Sequence, residues 1–152
     1  MLTRKTKYAL RALIFLARQQ EGATVHIADL ARAEGLPQKF LERILLDLKG
    51  RGLLRSQKGQ GGGYGLRMPA REITVGDVVR FTDGPLAPVP CVSQTAYQPC
   101  TDCPDEATCA LRGVMRRARD AIADVLDQSS LADLARRADH ERLLAGLAHY
   151  EI

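Results

Sequence analysis

The chain has 152 residues, enough to bury about two-thirds of its unfolded surface around one core without disulfides. Apolar residues make up 45% and charged residues 26%, with no tryptophan, which excludes a disordered or membrane-embedded chain and leaves an aliphatic core. The net charge of +4 hides an asymmetry: residues 1–67 hold 13 Lys and Arg against 5 Asp and Glu (+8), and residues 68–152 hold 9 against 13 (−4). The positive field that suits nucleic acid belongs to the N-terminal part, although charge alone is equally that of a solvated basic surface.

Leu10, Leu13, Ile14 and Ala17 recur at helical spacing and predict a first amphipathic helix between Thr3 and Gln20. A second, short helical pattern runs through Ile27, Leu30 and Ala31 and is stopped by Gly35. Pro37 stands where a third helix would start, and Phe40, Leu41, Ile44, Leu45 and Leu48 carry that helix to Gly50. Two short helices joined by a glycine turn are the helix-turn-helix pattern, whose second helix reads the major groove; αα-hairpins that bind nothing share it.

Residues 52–58 read as a strand, 59–63 as a glycine-rich tip and 64–67 as the returning strand, a β-hairpin placed where a wing would be. A phosphate-cradling loop is the rival reading, but no Gly-Lys-Ser/Thr leads into a helix here. A tip flanked by Lys58 and Arg67 could instead bring backbone N–H groups close to a DNA phosphate. Thr74 to Phe81 is a further short helix. Five of the seven prolines then fall between Pro85 and Pro104, so residues 85–108 are irregular loop.

After Cys109, Leu111, Val114, Met115, Ala118, Ala121, Ile122 and Val125 form one long apolar stripe. Within the chain it could meet the first helix, and a second copy of the chain is the other partner, one that would suit two-fold DNA half-sites. Ser130 is an N-cap for a short helix to Arg137, and Leu143, Leu144 and Leu147 suggest a last amphipathic turn or two. The stretch 9–17 is interrupted by Arg11 and too short to span a bilayer, and no apolar run with a cleavage site follows the basic N-terminus. The expectation is a cytoplasmic protein with reduced thiols and no membrane partner. No nucleophile and base stand at recognisable spacing, and His26, His140 and His149 lie apart, so the chain is not expected to be an enzyme.

The cysteines are spaced Cys91-x8-Cys100-x2-Cys103-x5-Cys109, four soft donors within nineteen residues of loop. In a reducing compartment such a set suits zinc or an iron–sulfur cluster, [2Fe–2S] or [4Fe–4S], with a thiol–disulfide switch at Cys100 and Cys103 as a third reading. Cys100-Thr-Asp-Cys103 alone has the spacing of a zinc knuckle. A thioredoxin-type enzyme lacks its βαβ surroundings.

Tyr8-Ala9-Leu10-Arg11, Ile27-Ala28, Leu41-Glu42, the wing Lys58-Gly59-Gln60-Gly61-Gly62-Gly63-Tyr64, Val75-Gly76-Asp77-Val78 and the late cysteines together resemble the Rrf2 family of winged helix-turn-helix regulators, of the IscR, NsrR and CymR types. The resemblance runs over nearly the whole chain. It implies a homodimer in which each protomer gives a reading helix and a wing to DNA and the long helix after the cysteines joins the two. In cluster-bearing members three loop cysteines hold an iron–sulfur cluster; by position these are Cys91, Cys103 and Cys109 here, and Cys100 is extra. IscR-like members carry a histidine three residues after the last cysteine, where this chain has Arg112, and NsrR-like members use an acidic residue from the first helix of the partner subunit, where this chain has Lys7. Cys100 is therefore the candidate fourth ligand.

The expected fold is mainly α with a small β-hairpin wing: a winged helix-turn-helix domain plus a long dimerisation helix. Its parts are a DNA-binding domain over 1–82, a cysteine-rich loop over 83–108, and the dimerisation and C-terminal helices over 109–152. Gln38, Lys39, Glu42 and Arg43 are the candidates for reading base edges of a double-stranded operator, since Gln suits adenine, Lys or Arg guanine, and Glu cytosine N4. Lys58, Gly61, Gly62, Tyr64 and Arg67 of the wing, with Arg4, Lys5 and Lys7, are candidates for phosphate or minor-groove contacts. A regulator whose DNA affinity follows its cluster is the expected function. A zinc-bound or thiol-switch regulator of the same fold, or a protein-interaction scaffold without DNA, are the alternatives.

Overall fold

Helix α1, Arg4–Ala17, starts at Thr3, whose side chain accepts the Thr6 N–H at 3.2 Å. The computed structural model describes residues 2–148, so His149 and the side chain of Leu147 lie outside the described residues. Ala9, Ala12, Leu13 and Leu16 are the buried apolar residues of α1, with Leu10, Ile14 and Ala17 packed at the rim. That face is turned from the predicted stripe because α1 is the central helix, with α2 (Ile27–Glu34) and α3 (Gln38–Gly50) packed against it, as are α4 (Val75–Thr82) and α6 (Leu131–Ala148). Alanines let those helices come close. The α2–α3 turn is as expected: Gly35 caps α2 at φ 59°, a left-handed conformation that glycine adopts without strain. Pro37 is the N-cap of α3 rather than its first helical residue.

Strands β1 (Leu54–Gln57) and β2 (Gly63–Leu66) pair antiparallel, Gln57 opposite Gly63 at the tip and Leu54 opposite Leu66 at the base. The hairpin is docked by a third segment that periodicity does not reveal. Val25 N–H donates to the Tyr64 carbonyl (2.8 Å) and Tyr64 N–H to the Val25 carbonyl (2.9 Å). Two glycines allow this approach: a Cβ at Gly63 would stand 2.2 Å from the Val25 oxygen, and one at Gly65 2.4 Å from the Ala23 oxygen. Gly63→Ala, which also meets a φ of 149°, is expected to lower unfolding stability by about 2 kcal/mol or more in a urea titration, through strain and loss of this seam.

Thr74 and Asp77 form a reciprocal capping box at the start of α4. Helix α5, Ala110–Asp127, packs on α4 and on the short 3-10 turn Pro90–Val92, which corrects the expectation that its intramolecular partner would be the first helix. The reason is that its half-buried residues Met115, Arg119, Ala123 and Leu126 repeat on one face, while Leu111, Val114, Ile122 and Val125 lie on another and are 44–65% exposed. Ser130 and Asp133 cap the last helix reciprocally. It runs unbroken to Ala148, where two pieces were expected, since nothing between Arg137 and Leu143 breaks a helix. Leu131 is fully buried in the same cluster as Leu13, Leu41, Leu45 and Ile73, so this helix closes the core of the N-terminal part. No helix among the described residues is long and apolar enough to cross a membrane.

Candidate nucleic-acid interface and cysteine loop

Helix α3 divides its residues cleanly. Leu41, Ile44, Leu45 and Leu48 are buried against the core, and Gln38, Lys39, Glu42 and Arg43 are all exposed near its N-terminal end. Its orientation is fixed from three sides. Tyr8 of α1 meets Phe40 edge-on at 5.6 Å between ring centres, Lys5 Nζ donates to Asp47 at 2.7 Å, and Lys49 Nζ donates to Ser56 Oγ of the wing at 2.6 Å. The Lys5 hydrogen bond, aided by its charge, holds the Asp47 carboxyl below the usual carboxylate range. Lys5 is therefore engaged with α3, whereas Arg4 and Lys7 are exposed.

The wing places its candidates less uniformly. Lys58 and Gly61 are exposed at the tip, where Thr24 Oγ1 donates to the Gly61 carbonyl at 2.9 Å. Gly62 is buried: a Cβ there would stand 2.3 Å from the Gln57 oxygen, and its N–H donates to the Gly59 carbonyl at 3.0 Å. Tyr64 is half-buried against the core and its backbone is spent on Val25. Both serve to build the wing. Arg67 is exposed but follows the base of the hairpin, with Lys58 at the opposite end, so the two do not flank one tip.

The cysteine loop lies between α4 and α5 and contains the 3-10 turn Pro90–Val92 as its one regular element. Cys91 sits in that turn, 5% exposed, and Cys109 is the N-cap residue of α5. The neighbouring Cys91 first, then burial and the nearby Cys103 and Asp102, push the Cys100 thiol up to about 11. Burial first, and then the neighbouring Cys109, raise Cys103, against a lowering hydrogen bond from the Asp105 backbone. Among the described residues no three His, Cys, Asp or Glu side chains converge tightly enough to hold a metal ion. The donor set nonetheless fits a cluster or zinc in kind: four soft sulfur donors, one fixed by burial and three on loop or at a helix start, crowded so that each disfavours its neighbour's charge until a cation is shared. Arg112, standing where IscR-like members have histidine, is held by Glu106 at 3.3 Å, and Glu106 also accepts from Tyr97 Oη at 2.8 Å.

Polar contacts run from this loop to the reading helix, and sequence periodicity reveals none of them. The Arg119 guanidinium of α5 donates to the carbonyl of Val92, next to Cys91. At the other end of α5, Asp127 accepts two bonds from Arg80 of α4, at 2.6 and 2.8 Å, which hold its carboxyl below the usual range. Gly76 explains itself here, since a Cβ would strike the Asp127 carboxylate at 1.9 Å. Thr82 and Asp83 at the end of α4 meet α1 through Thr6 (hydroxyls 2.6 Å apart) and Thr3, whose N–H donates to Asp83 at 3.0 Å. Lys5 completes the path to α3.

A helix-turn-helix with an exposed polar face on its second helix, a β-hairpin docked beside it and a positive N-terminal part define a winged helix-turn-helix DNA-binding regulator. The chain belongs to the Rrf2 family: the profile described as "Rrf2: Iron-dependent Transcriptional regulator" matches residues 2–137. It is 42% identical over 137 residues to a Rhodobacter capsulatus protein named as an rrf2-like HTH-type transcriptional regulator, covering 88% of this chain and 91% of that one. It is similar to the solved structure of CymR, the global cysteine regulator of Bacillus subtilis, with a TM-score of 0.76 and 31% identity over 90% of this chain and 97% of that chain. Similarity to IscR of T. potens gives a TM-score of 0.71 and 25% identity, over 91% and 88% of the two chains. The protein is thus a transcription regulator of Rrf2 type, and its family and relatives are regulators rather than enzymes.

Proposed function

We propose that this regulator works as a cytoplasmic homodimer on a double-stranded operator, and that an iron–sulfur cluster on Cys91, Cys100, Cys103 and Cys109 sets its affinity for DNA. Residues 1–82 form the DNA-binding part, 83–108 the cluster loop, and 109–152 supply the dimerisation helix and the C-terminal helix. Gln38, Lys39, Glu42 and Arg43 read base edges, Lys58 and the tip at Gly61 meet phosphates, and Gly62 and Tyr64 hold the wing in shape for them. The exposed line of Leu111, Val114, Ile122 and Val125 on α5 is the face that a second copy covers.

The observation that carries the reading is the attachment of the cysteine loop to α5 at two points, its start and its middle. Cys109 caps its start, and the turn holding Cys91 is bonded to Arg119 on its inner face. A bound cluster would supply a charged, redox-active anchor for the four sulfurs. The chain's own residues do the rest. When Cys91 and Cys109 are drawn to one centre, the turn Pro90–Val92 and the head of α5 are fixed relative to each other. The Arg80–Asp127 pair and the Thr3, Thr6 and Lys5 contacts carry that position to α1 and α3, hence to the spacing of the two readers in a dimer.

Anaerobic purification followed by iron and sulfide analysis beside a visible spectrum tests this reading. Coloured protein with iron and acid-labile sulfide is expected. Colourless protein with zinc would establish the zinc-bound alternative, and colourless, metal-free protein whose Cys100 and Cys103 oxidise to a disulfide would establish a thiol switch.

A further inference from the structure

Beneath the base of the wing, away from the cysteine loop, lies a cleft of about 490 Å³ between the end of α1, the strands' exit and the first turns of α6. Its lining is mainly basic: Arg55, Arg67, Arg71 and Arg136 line it, with Glu21 as the only acidic lining residue among the described residues. Leu16, Leu66, Met68 and Ala132 give it an apolar floor. Arg55 is anchored as a wall, donating to the Gly22 carbonyl. Arg71 and Arg136 keep 72% and 73% of their side chains exposed, with Glu72 at 3.7 Å from Arg71 and Asp133 beside Arg136.

We propose that this cleft binds a small organic anion, a phosphate- or carboxylate-bearing metabolite with an apolar body, as a second input to the regulator. The volume falls in the range of small-molecule sites, and such sites combine an apolar lining with a few convergent polar groups. Guanidinium groups are the donors that match carboxylate and phosphate in geometry. The lining joins Arg55 and Arg67 of the wing to Arg136 of α6, so an occupant would tie the hairpin base to the C-terminal helix and set the angle at which the wing stands. Duplex DNA could present the same phosphate chemistry to Arg55 and Arg67, and the test separates the two sources.

Titrations of the full-length protein with pyrophosphate, citrate and adenosine 5′-phosphate, each without DNA, are followed by calorimetry and by amide NMR shifts. The expected result is saturable binding of at least one anion, with shifts confined to residues 19–23 and 66–71 and the start of α6. R71A/R136A, two exposed positions whose replacement leaves the core intact, should weaken that binding about tenfold or more, and R71K/R136K should restore part of it. The proposal is overturned if none of the three anions shifts those amides at millimolar concentration, or if the double alanine variant binds the anion as the parent does. It is equally overturned if that variant loses operator affinity in the same proportion as anion affinity, since the arginines would then belong to the DNA face.

Discussion

Replacing Cys91, Cys103 and Cys109 together by serine (C91S/C103S/C109S) will leave a folded, colourless, iron-free protein whose operator affinity is the same under air and under argon. The fold should survive because the core of Leu13, Leu30, Leu41, Leu45, Ile73 and Leu131 lies outside the loop, and Cys91 is the one cysteine of the four that is buried. C91S alone is therefore the variant that reports on packing as well as on ligation, and C103S/C109S separates the two. Cys100→Ser is the finer test: loss of iron equal to that of C103S identifies Cys100 as the fourth donor, whereas retention assigns that place elsewhere. Measured quantities are iron and sulfide per chain and circular dichroism as the control for folding.

The second large effect concerns the reader. Lys39→Ala and Arg43→Ala should each lower affinity for the specific operator by about tenfold or more while changing affinity for random duplex much less, because a base-edge contact is lost. Lys58→Ala on the wing should behave differently, weakening all duplexes alike and reducing the salt slope of binding by about one. The contrast rests on position. Lys39 and Arg43 stand on the open face near the start of α3, whereas Lys58 sits at a hairpin tip whose neighbours present backbone rather than side chains. Binding titrations at several salt concentrations, on operator and on random sequence, distinguish the two.

Much of this architecture was legible in the residues. The 3.6-residue spacing of Leu41, Ile44, Leu45 and Leu48, Gly35 at the turn and the two strands about a glycine tip locate the reader and wing within a few residues of where they stand. The face of α1 is less legible, because a central helix is covered from several directions and its fully buried positions include Ala9 and Ala12, residues too small to dominate a hydrophobic pattern. By sequence the wing glycines suggest a tip whose backbone can approach a phosphate. Gly63 and Gly65 are instead clearances for the backbone of Val25 and Ala23, and Gly76 for the carboxylate of Asp127. Clearance depends on a neighbour distant in sequence, so no local pattern contains it. The same holds for Arg119, Arg80 and Asp127: each looks like a solvated charge on a helix until the partner is known. The cysteine loop is legible in its chemistry, four soft donors at close spacing, and not in its burial, since Cys91 alone of the four is buried, in the turn Pro90–Val92.

One measurement bears most directly on the link between sulfur-bound metal and DNA. A single anaerobic preparation is titrated against its operator at fixed salt, then exposed to oxidant until the visible absorbance is lost, and titrated again. A change in affinity of about tenfold or more, absent in C91S/C103S/C109S, is the expected result; identical binding curves before and after bleaching would contradict it.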